Sequence, residues 1–416
     1  MNKFISSVAV VLLLSYTACI EENDFDSQPL NYEQNNSDVN SRQVTQDQAL
    51  KFAEMFDASV AKSLSLSKSK VLPRTICDVQ YVISDNNDTL VYILNYADSR
   101  GYLLLSADKN SFPILAVSDT GNINLQDKDT LSTFYHWLDD VSTRITSDLS
   151  CPLDSFADNN LWNDIDNEDC IITMELDTET SISKKKKTTS EYDATLFDYH
   201  KTTGSIYKWG QGEGYNYYSP RDDDGNLCLV GCPAVAIGLV CKANAWPYNY
   251  RYHLMPPNLI NSNEYNSIAI MFRDIAEHIP NYFWGAKLSG TKSEDDIVTG
   301  LKRIGYTDAK VSSFNISLAY NEIKNGNPIL LSAYQSNLRS GHVWYCDGYK
   351  SVRYKFVKSK RNGKKIINEW YETYDYLLMN WGWNGDCDAW YRYDTNCWAS
   401  NLNYNRSIFT GLHKVE

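Results

Sequence analysis

The chain has 416 residues, 43% of them hydrophobic and 13% aromatic, and a formal charge of −13. That length suggests two or three domains, and the apolar share is enough to bury a core in each. The acidic balance excludes nucleic acid as the main partner, because phosphate binding needs a basic face, and there is neither a Gly-rich phosphate loop nor a dinucleotide fingerprint.

The first segment, residues 1–19, reads as a signal peptide. Lys3 gives a positive start and Val8 to Leu14 an apolar run too short to span a membrane. Thr17-Ala18-Cys19 resembles a bacterial lipobox with Tyr16 in the place usually held by Leu. Cys19 is therefore a candidate lipidation site, with plain secretion as the alternative. An outer-membrane or cell-surface lipoprotein is expected, otherwise a secreted or periplasmic protein. Residues 20–44 are polar and read as a disordered tether.

Residues 45–150 read as a small α+β unit. Thr45 can cap a helix in which Ala49, Phe52, Ala53 and Phe56 recur at helical spacing. Lys62 to Lys70 reads as a Ser/Lys linker. Strand patterns follow at Val79 to Ile83, Thr89 to Tyr96, Tyr102 to Ser106 and Phe112 to Val117, then a helix from Leu131 to Leu149. Residues 151–190 lose periodicity, turn acidic, and end in the tetralysine Lys184 to Lys187. This is the pattern of a linker holding a processing region, or simply of a solvated linker. Residues 191–416 form the last unit.

Ten cysteines stand at 19, 77, 151, 170, 228, 232, 241, 346, 387 and 397, with no C-x-x-C pair, so a zinc or thioredoxin site is not expected. Several free, buried thiols are expected instead. Asp222 to Asp224 reads as a solvated loop rather than a calcium site, and no metal or cofactor is expected.

Four stretches of the last unit could carry chemistry. Gly231-Cys232-Pro233, followed by residues apolar nearly all round, reads as the start of a buried helix closed by Trp246-Pro247. A thiol at a helix N-terminus has its pKa lowered by the dipole and free N–H groups, as a nucleophile requires. Alone, the stretch also fits a packed structural cysteine. His342 opens the aromatic strand from Gly341 to Gly348. Asn380, in Asn380-Trp381-Gly382-Trp383, could fix the tautomer of that imidazole while Trp381 shields the bond. Gln211, in the Trp209 to Asn216 loop, could join the Cys232 N–H in binding an oxyanion.

The order Gln, Cys, His, Asn is that of papain-like peptidases, and with these segments the chain resembles streptopain and the C10 cysteine peptidases. Gly326 to Leu330 is similar to the strand before the family's histidine, and Gly101 to Val117 to its inhibitory propeptide. The resemblance implies a papain-like α+β catalytic domain, a central helix on an antiparallel sheet or barrel, behind a small α+β pro-domain. It implies a cysteine endopeptidase made as a zymogen, acting on protein or peptide substrates and inhibited by its own propeptide. Cys232 would be the nucleophile, His342 the general base and acid, Asn380 the residue orienting it, Gln211 the oxyanion donor and Trp381 the shield. Residues up to roughly 190 would be removed on activation. The chain departs from the family at Pro233, which can donate no N–H, and in an added charged hairpin between His342 and Asn380, with Asn362-Gly363 as its turn. A surface-binding lipoprotein on a peptidase scaffold, and an amidase or acyl-transferase using the same residues, are the competing readings.

Overall fold

The computed structural model describes residues 42–66, 74–111, 113–126, 133–149, 161–176, 198–201, 206–258, 266–334, 341–363, 365–392 and 406–414. The signal segment with Cys19, residues 20–41 of the expected tether and the tetralysine lie outside them, whereas Arg42 to Val44, also read as tether, are held against the first unit, Arg42 pairing with Asp108 at 2.6 Å and the Val44 N–H donating to Ala107 O at 2.7 Å.

Helix α1 (Gln46–Leu66) opens with reciprocal capping, the Thr45 N–H donating to Gln48 Oε1 at 2.9 Å and the Gln48 N–H to Thr45 Oγ1 at 3.2 Å. Its buried stripe is Ala49, Phe52, Ala53 and Phe56, as the spacing requires, but the helix continues to Leu66, into the expected Ser/Lys linker. Strands β1 (Ile76–Ile83), β2 (Thr89–Tyr96), β3 (Tyr102–Ser106) and β4 (Ile114–Ser118) form an antiparallel meander, followed by α2 (Thr133–Leu149). The stretch read as linker holds a short helix α3 (Leu161–Ile165) and strand β5 (Cys170–Leu176). The acidic residues masked its alternation: Ile172, Met174 and Leu176 share one face and join a core.

Then come β6 (Asp198–Lys201), α4 (Cys232–Asn244), α5 (Asn266–His278), α6 (Glu294–Ile304), β7 (Lys310–Ser313), α7 (Ile316–Lys324) and β8 (Ile329–Tyr334). The chain closes with β9 (Gly341–Lys360), β10 (Ile366–Asn380), β11 (Ala389–Arg392) and β12 (Ser407–Thr410). The strands run in the order β1-β2-β3-β4-β11-β10-β9-β8-β12-β7, so one sheet passes from the first α+β unit into the last through the Trp390–Val117 pairing. Three segments share one edge of the long β9: β8 along Gly341–Cys346, β6 along Gly348–Ser351 and β5 along Tyr354–Lys360. β10 holds the other edge, and the two strands turn at Arg361 to Gly363, with Gly363 at φ +65°.

Three buried clusters follow. Helix α4 is buried on all sides, from Pro233 to Cys241, between α5, α6 and the sheet residues Leu330, Val343 and Tyr345. A second cluster joins Phe134, Trp137 and Leu138 of α2 to Trp344, Met379, Trp381 and Tyr391. The third joins Phe52 and Phe56 of α1 and Trp162 of α3 to Tyr354, Phe356, Tyr374 and Tyr376 of the β9–β10 hairpin. The last two cores therefore belong jointly to the N-terminal unit and to the unit carrying Cys232.

Candidate active site

Cys232 is the first residue of α4. The chain enters it through Gly231 at φ +89°, where an added Cβ would lie 2.3 Å from Tyr282 Oη and 2.6 Å from Ser289 O. Both the backbone angle and the crowding demand glycine. Pro233 brings no N–H, and the Val235 N–H already donates to Gly231 O at 3.3 Å. Tyr282 Oη donates to Val230 O at 2.5 Å and takes up the Ala234 N–H. The first turn thus offers the thiol little beyond the N–H of Cys232 itself and a backbone hydrogen bond from Val343. Burial outweighs both and pushes the thiol up to about 11. This corrects the expectation of a lowered thiol: a helix start favours thiolate only where its N–H groups are free and the sulfur is solvated or paired with a cation.

His342 is the second residue of β9 and pairs in register with Ala333 of β8. Val343, the residue that bonds the Cys232 thiol, follows it directly, so the strand carries the imidazole to the start of α4. His342 Nε2 lies 3.0 Å from the backbone carbonyl of Trp381. Two indoles lie close to the ring and nearly parallel to it, Trp344 at 6.1 Å and 16° and Trp383 at 6.2 Å and 21°.

Asn380 ends β10, buried, and its amide serves the loops. Its Nδ2 donates to Tyr207 O at 2.8 Å and its Oδ1 accepts from Gly382 N at 3.1 Å. The amide is thereby committed away from the imidazole, and the bond expected between Asn380 and His342 is replaced by one from the next residue's carbonyl. Trp381 lies deeper than a shield would. Its Nε1 donates to Cys387 O at 3.0 Å and Tyr391 Oη at 3.2 Å, and its ring meets Tyr391 at 5.2 Å. Trp344 and Trp383 are the indoles that lie against the imidazole. The spacing could have found Trp344, since residues two apart on a strand share a face; nothing in the sequence separates Trp383 from Trp381.

Gln211 is 5% exposed, and its carbonyl accepts the Val230 N–H at 2.9 Å, which ties its loop to the approach to Cys232. The Asn384 N–H donates to Trp209 O at 3.2 Å, and a Cβ on Gly382 would stand 3.0 Å from Val235 Cγ1 of α4. The loops of Gln211 and Asn380, the strand of His342 and the helix of Cys232 therefore converge.

Behind the site lies Asp388. Its Oδ1 accepts the Trp381 N–H at 3.0 Å, its Oδ2 has no partner, and burial drives the carboxyl up to about 8. Its backbone carbonyl accepts from Ser118 Oγ of β4 at 3.3 Å, and Trp137 of α2 packs edge-on to Tyr391 at 4.7 Å. The N-terminal unit thus touches, through Tyr391, the tryptophan whose carbonyl holds His342.

The seven described cysteines, Cys77, Cys170, Cys228, Cys232, Cys241, Cys346 and Cys387, are all free thiols, and Cys228, Cys241 and Cys346 are buried. Among the described residues no group of His, Cys, Asp and Glu is arranged to hold a metal ion, and no helix is long and apolar enough to cross a membrane.

Residues 41–145 match the Spi protease inhibitor family, and residues 244–391 match the Peptidase C10 family. The second match takes in His342, Asn380 and Trp381 and begins after Cys232. Among solved structures, a fragment of prointerpain A from Prevotella intermedia is 18% identical, covering 82% of this chain and 99% of that one, with a TM-score of 0.54. Active interpain A, a cysteine protease of the same organism, is 19% identical, covering 52% of this chain and 96% of that one, with a TM-score of 0.40. The first shares the fold, α+β with an antiparallel sheet. No curated protein matches.

Proposed function

From a chain that is a cysteine-type peptidase of the C10 family behind a Spi-type inhibitor domain, we propose an exported endopeptidase made as a zymogen, with Cys232 as nucleophile and His342 as its base. The observation that carries this is the meeting of the α4 start with the His342 strand, the thiol of Cys232 bonded to the backbone of Val343. In the reaction, Cys232 Sγ gives its proton to His342 and attacks the peptide carbonyl carbon. The tetrahedral oxyanion is met by the Cys232 N–H and the Gln211 amide. The C–N bond breaks, His342 returns the proton to the leaving amine, and a thioester remains on Cys232. Water, deprotonated by His342, attacks the thioester and frees the acid and the thiol. Asn380 acts on His342 through the Trp381 backbone.

In this reading, residues up to roughly 190 are lost on activation and residues 191–416 are the enzyme. Export follows from the 1–19 segment, with Cys19 acylated to hold the protein at an outer-membrane or cell surface. The test is N-terminal sequencing of the mature protein with and without Cys232→Ala, beside cleavage of a denatured protein and labelling by an E-64-like electrophile. Cleavage by the purified Cys232→Ala variant overturns the nucleophile assignment. A free, unacylated N-terminus on the unprocessed precursor overturns the anchor.

A further inference from the structure

The added hairpin is the most basic stretch of an acidic chain: residues 350–365 hold eight Lys and Arg and no Asp or Glu. The sequence around the strand on its edge has the opposite character, residues 161–180 holding seven Asp and Glu and no Lys or Arg. The two are zipped together. β5 runs antiparallel to β9 from Cys170–Lys360 to Leu176–Tyr354. Lys358 Nζ meets Asp164 Oδ1 at 2.6 Å, the Arg361 N–H donates to Asp169 O at 2.9 Å, and an Arg361 guanidinium N–H donates to Glu168 O at 3.4 Å. Ile172, Met174 and Leu176 enter the same cluster as Tyr354, Phe356 and Tyr374 of the hairpin, beside Phe356 and Trp370 stacked at 5.2 Å and 9°.

β5 lies before residue 190, so activation as proposed above takes it away. β9 then shows an unpaired edge over Tyr354 to Lys360, a bordering aromatic face and a basic rim. Unpaired strand edges accept extended peptides through main-chain bonds, with side chains at alternate positions choosing the partner. We propose that in the processed enzyme this edge is an exosite that takes extended, acidic stretches of polypeptide substrates, apolar at alternate positions, by strand addition where β5 had been. It rests on the zymogen reading, and it gives the hairpin a task that the catalytic residues do not explain. Binding there tethers a long substrate to the strand that carries His342, 12 to 18 residues along it, and leaves short peptides unaffected.

The test uses the processed wild-type chain, separated from its digested N-terminal part. Turnover of a short fluorogenic peptide is recorded first, and Cys232 is then capped with an electrophile. A fluorescent peptide of residues 161–180, with Cys170→Ser, is titrated by anisotropy. Saturable binding that weakens with salt is expected, as is no binding when prolines replace the residues of that peptide matching Ile172 and Met174. A Lys358→Glu, Lys360→Glu, Arg361→Glu variant should bind at least about tenfold more weakly with short-peptide turnover unchanged. Intact turnover without peptide binding overturns the exosite. So does equal binding by the charge-reversed variant or the proline peptide, or a β5 segment that copurifies with the processed enzyme. Absence of short-peptide turnover instead overturns the peptidase reading, and the exosite with it.

Discussion

The imidazole of His342 is held by the backbone of Trp381, Nε2 to carbonyl oxygen at 3.0 Å, while the neighbouring Asn380 amide bonds Tyr207 and Gly382. In the proposed mechanism Asn380 is therefore a positioning residue that acts through the loop it builds. Asn380→Ala leaves a half-buried carbonyl and a buried N–H without this partner. The expected loss is about 1–3 kcal/mol in the stability of the unprocessed chain, seen as a lower thermal midpoint. In the processed enzyme kcat should fall about 100-fold, the order of effect of a small misplacement of a catalytic group. His342→Ala should abolish turnover. Equal losses in the two variants would mean that the amide acts on the imidazole directly.

The buried thiol gives a second expectation. With Cys232 pushed up to about 11, roughly one molecule in ten thousand carries the thiolate at neutral pH in the unprocessed chain. Alkylation of Cys232, followed residue by residue by mass spectrometry against the exposed Cys77, should be slow at neutral pH. It should rise about tenfold per pH unit until the pH approaches 11. Processing should move the profile to lower pH, as solvent and His342 reach the sulfur. A profile identical before and after processing would show that the N-terminal unit has no part in keeping the thiol inert.

The strands and helices of the N-terminal unit were legible because their patterns are strong: β2 and β3 are apolar runs buried along almost their whole length, and the Phe52–Phe56 stripe is the buried face of α1. The segments of Cys232, His342 and Asn380 could be found for the same kind of reason, since each is a special residue at the end of a regular element, whereas Gln211 lies in a loop and gained meaning only from the chain order. Two things were out of reach. Side-chain direction at a loop depends on partners distant in sequence, so the exchange of Asn380 for the Trp381 carbonyl depends on Tyr207, 173 residues away. Burial is collective too: the helix start promises a lowered thiol, and only the desolvation of the folded site, which outweighs the Val343 bond, gives the opposite sign. The β5 strand was hidden for a third reason, because its acidic neighbours answer a basic hairpin almost 200 residues later.

Asp388 makes the unprocessed chain sensitive to pH. Its carboxyl stays protonated to about 8 in the fold, whereas in an unfolded chain it ionises near 4. The folded state then binds the extra proton between these limits, so this group's contribution to stability is fully present below about 4 and is lost as pH rises toward 8. Lys208 opposes the shift, and Asp386 and Asp347 add to it. Asp388→Asn keeps an acceptor for the Trp381 N–H and removes the titration. Its midpoint of unfolding should depend less on pH over this window and exceed that of the wild type near pH 8. Parallel curves for the two proteins would place the ionisation elsewhere.

The shared aromatic core makes the last expectation. Phe56 of α1 is 4% exposed and its ring lies 6.3 Å from that of Tyr354 in the hairpin. Truncating a buried phenylalanine costs about 3–5 kcal/mol, and here the loss falls between the N-terminal unit and the unit carrying Cys232. Phe56 is not among the residues around Cys232 or His342, so any effect on turnover has to pass through the docking of α1. Phe56→Ala should lower the thermal midpoint of the unprocessed chain and hasten the appearance of processed enzyme, while the enzyme it yields, lacking α1, turns over a short peptide at the wild-type rate. Ile367→Ala on the exposed hairpin surface should change neither the midpoint nor the processing rate. A Phe56→Ala chain that melts earlier yet processes at the wild-type rate would show that the core stabilises the fold without restraining the enzyme. Restraint would then rest on the contacts behind Trp381, where Trp137 meets Tyr391, and Trp137→Ala would be the variant that releases it.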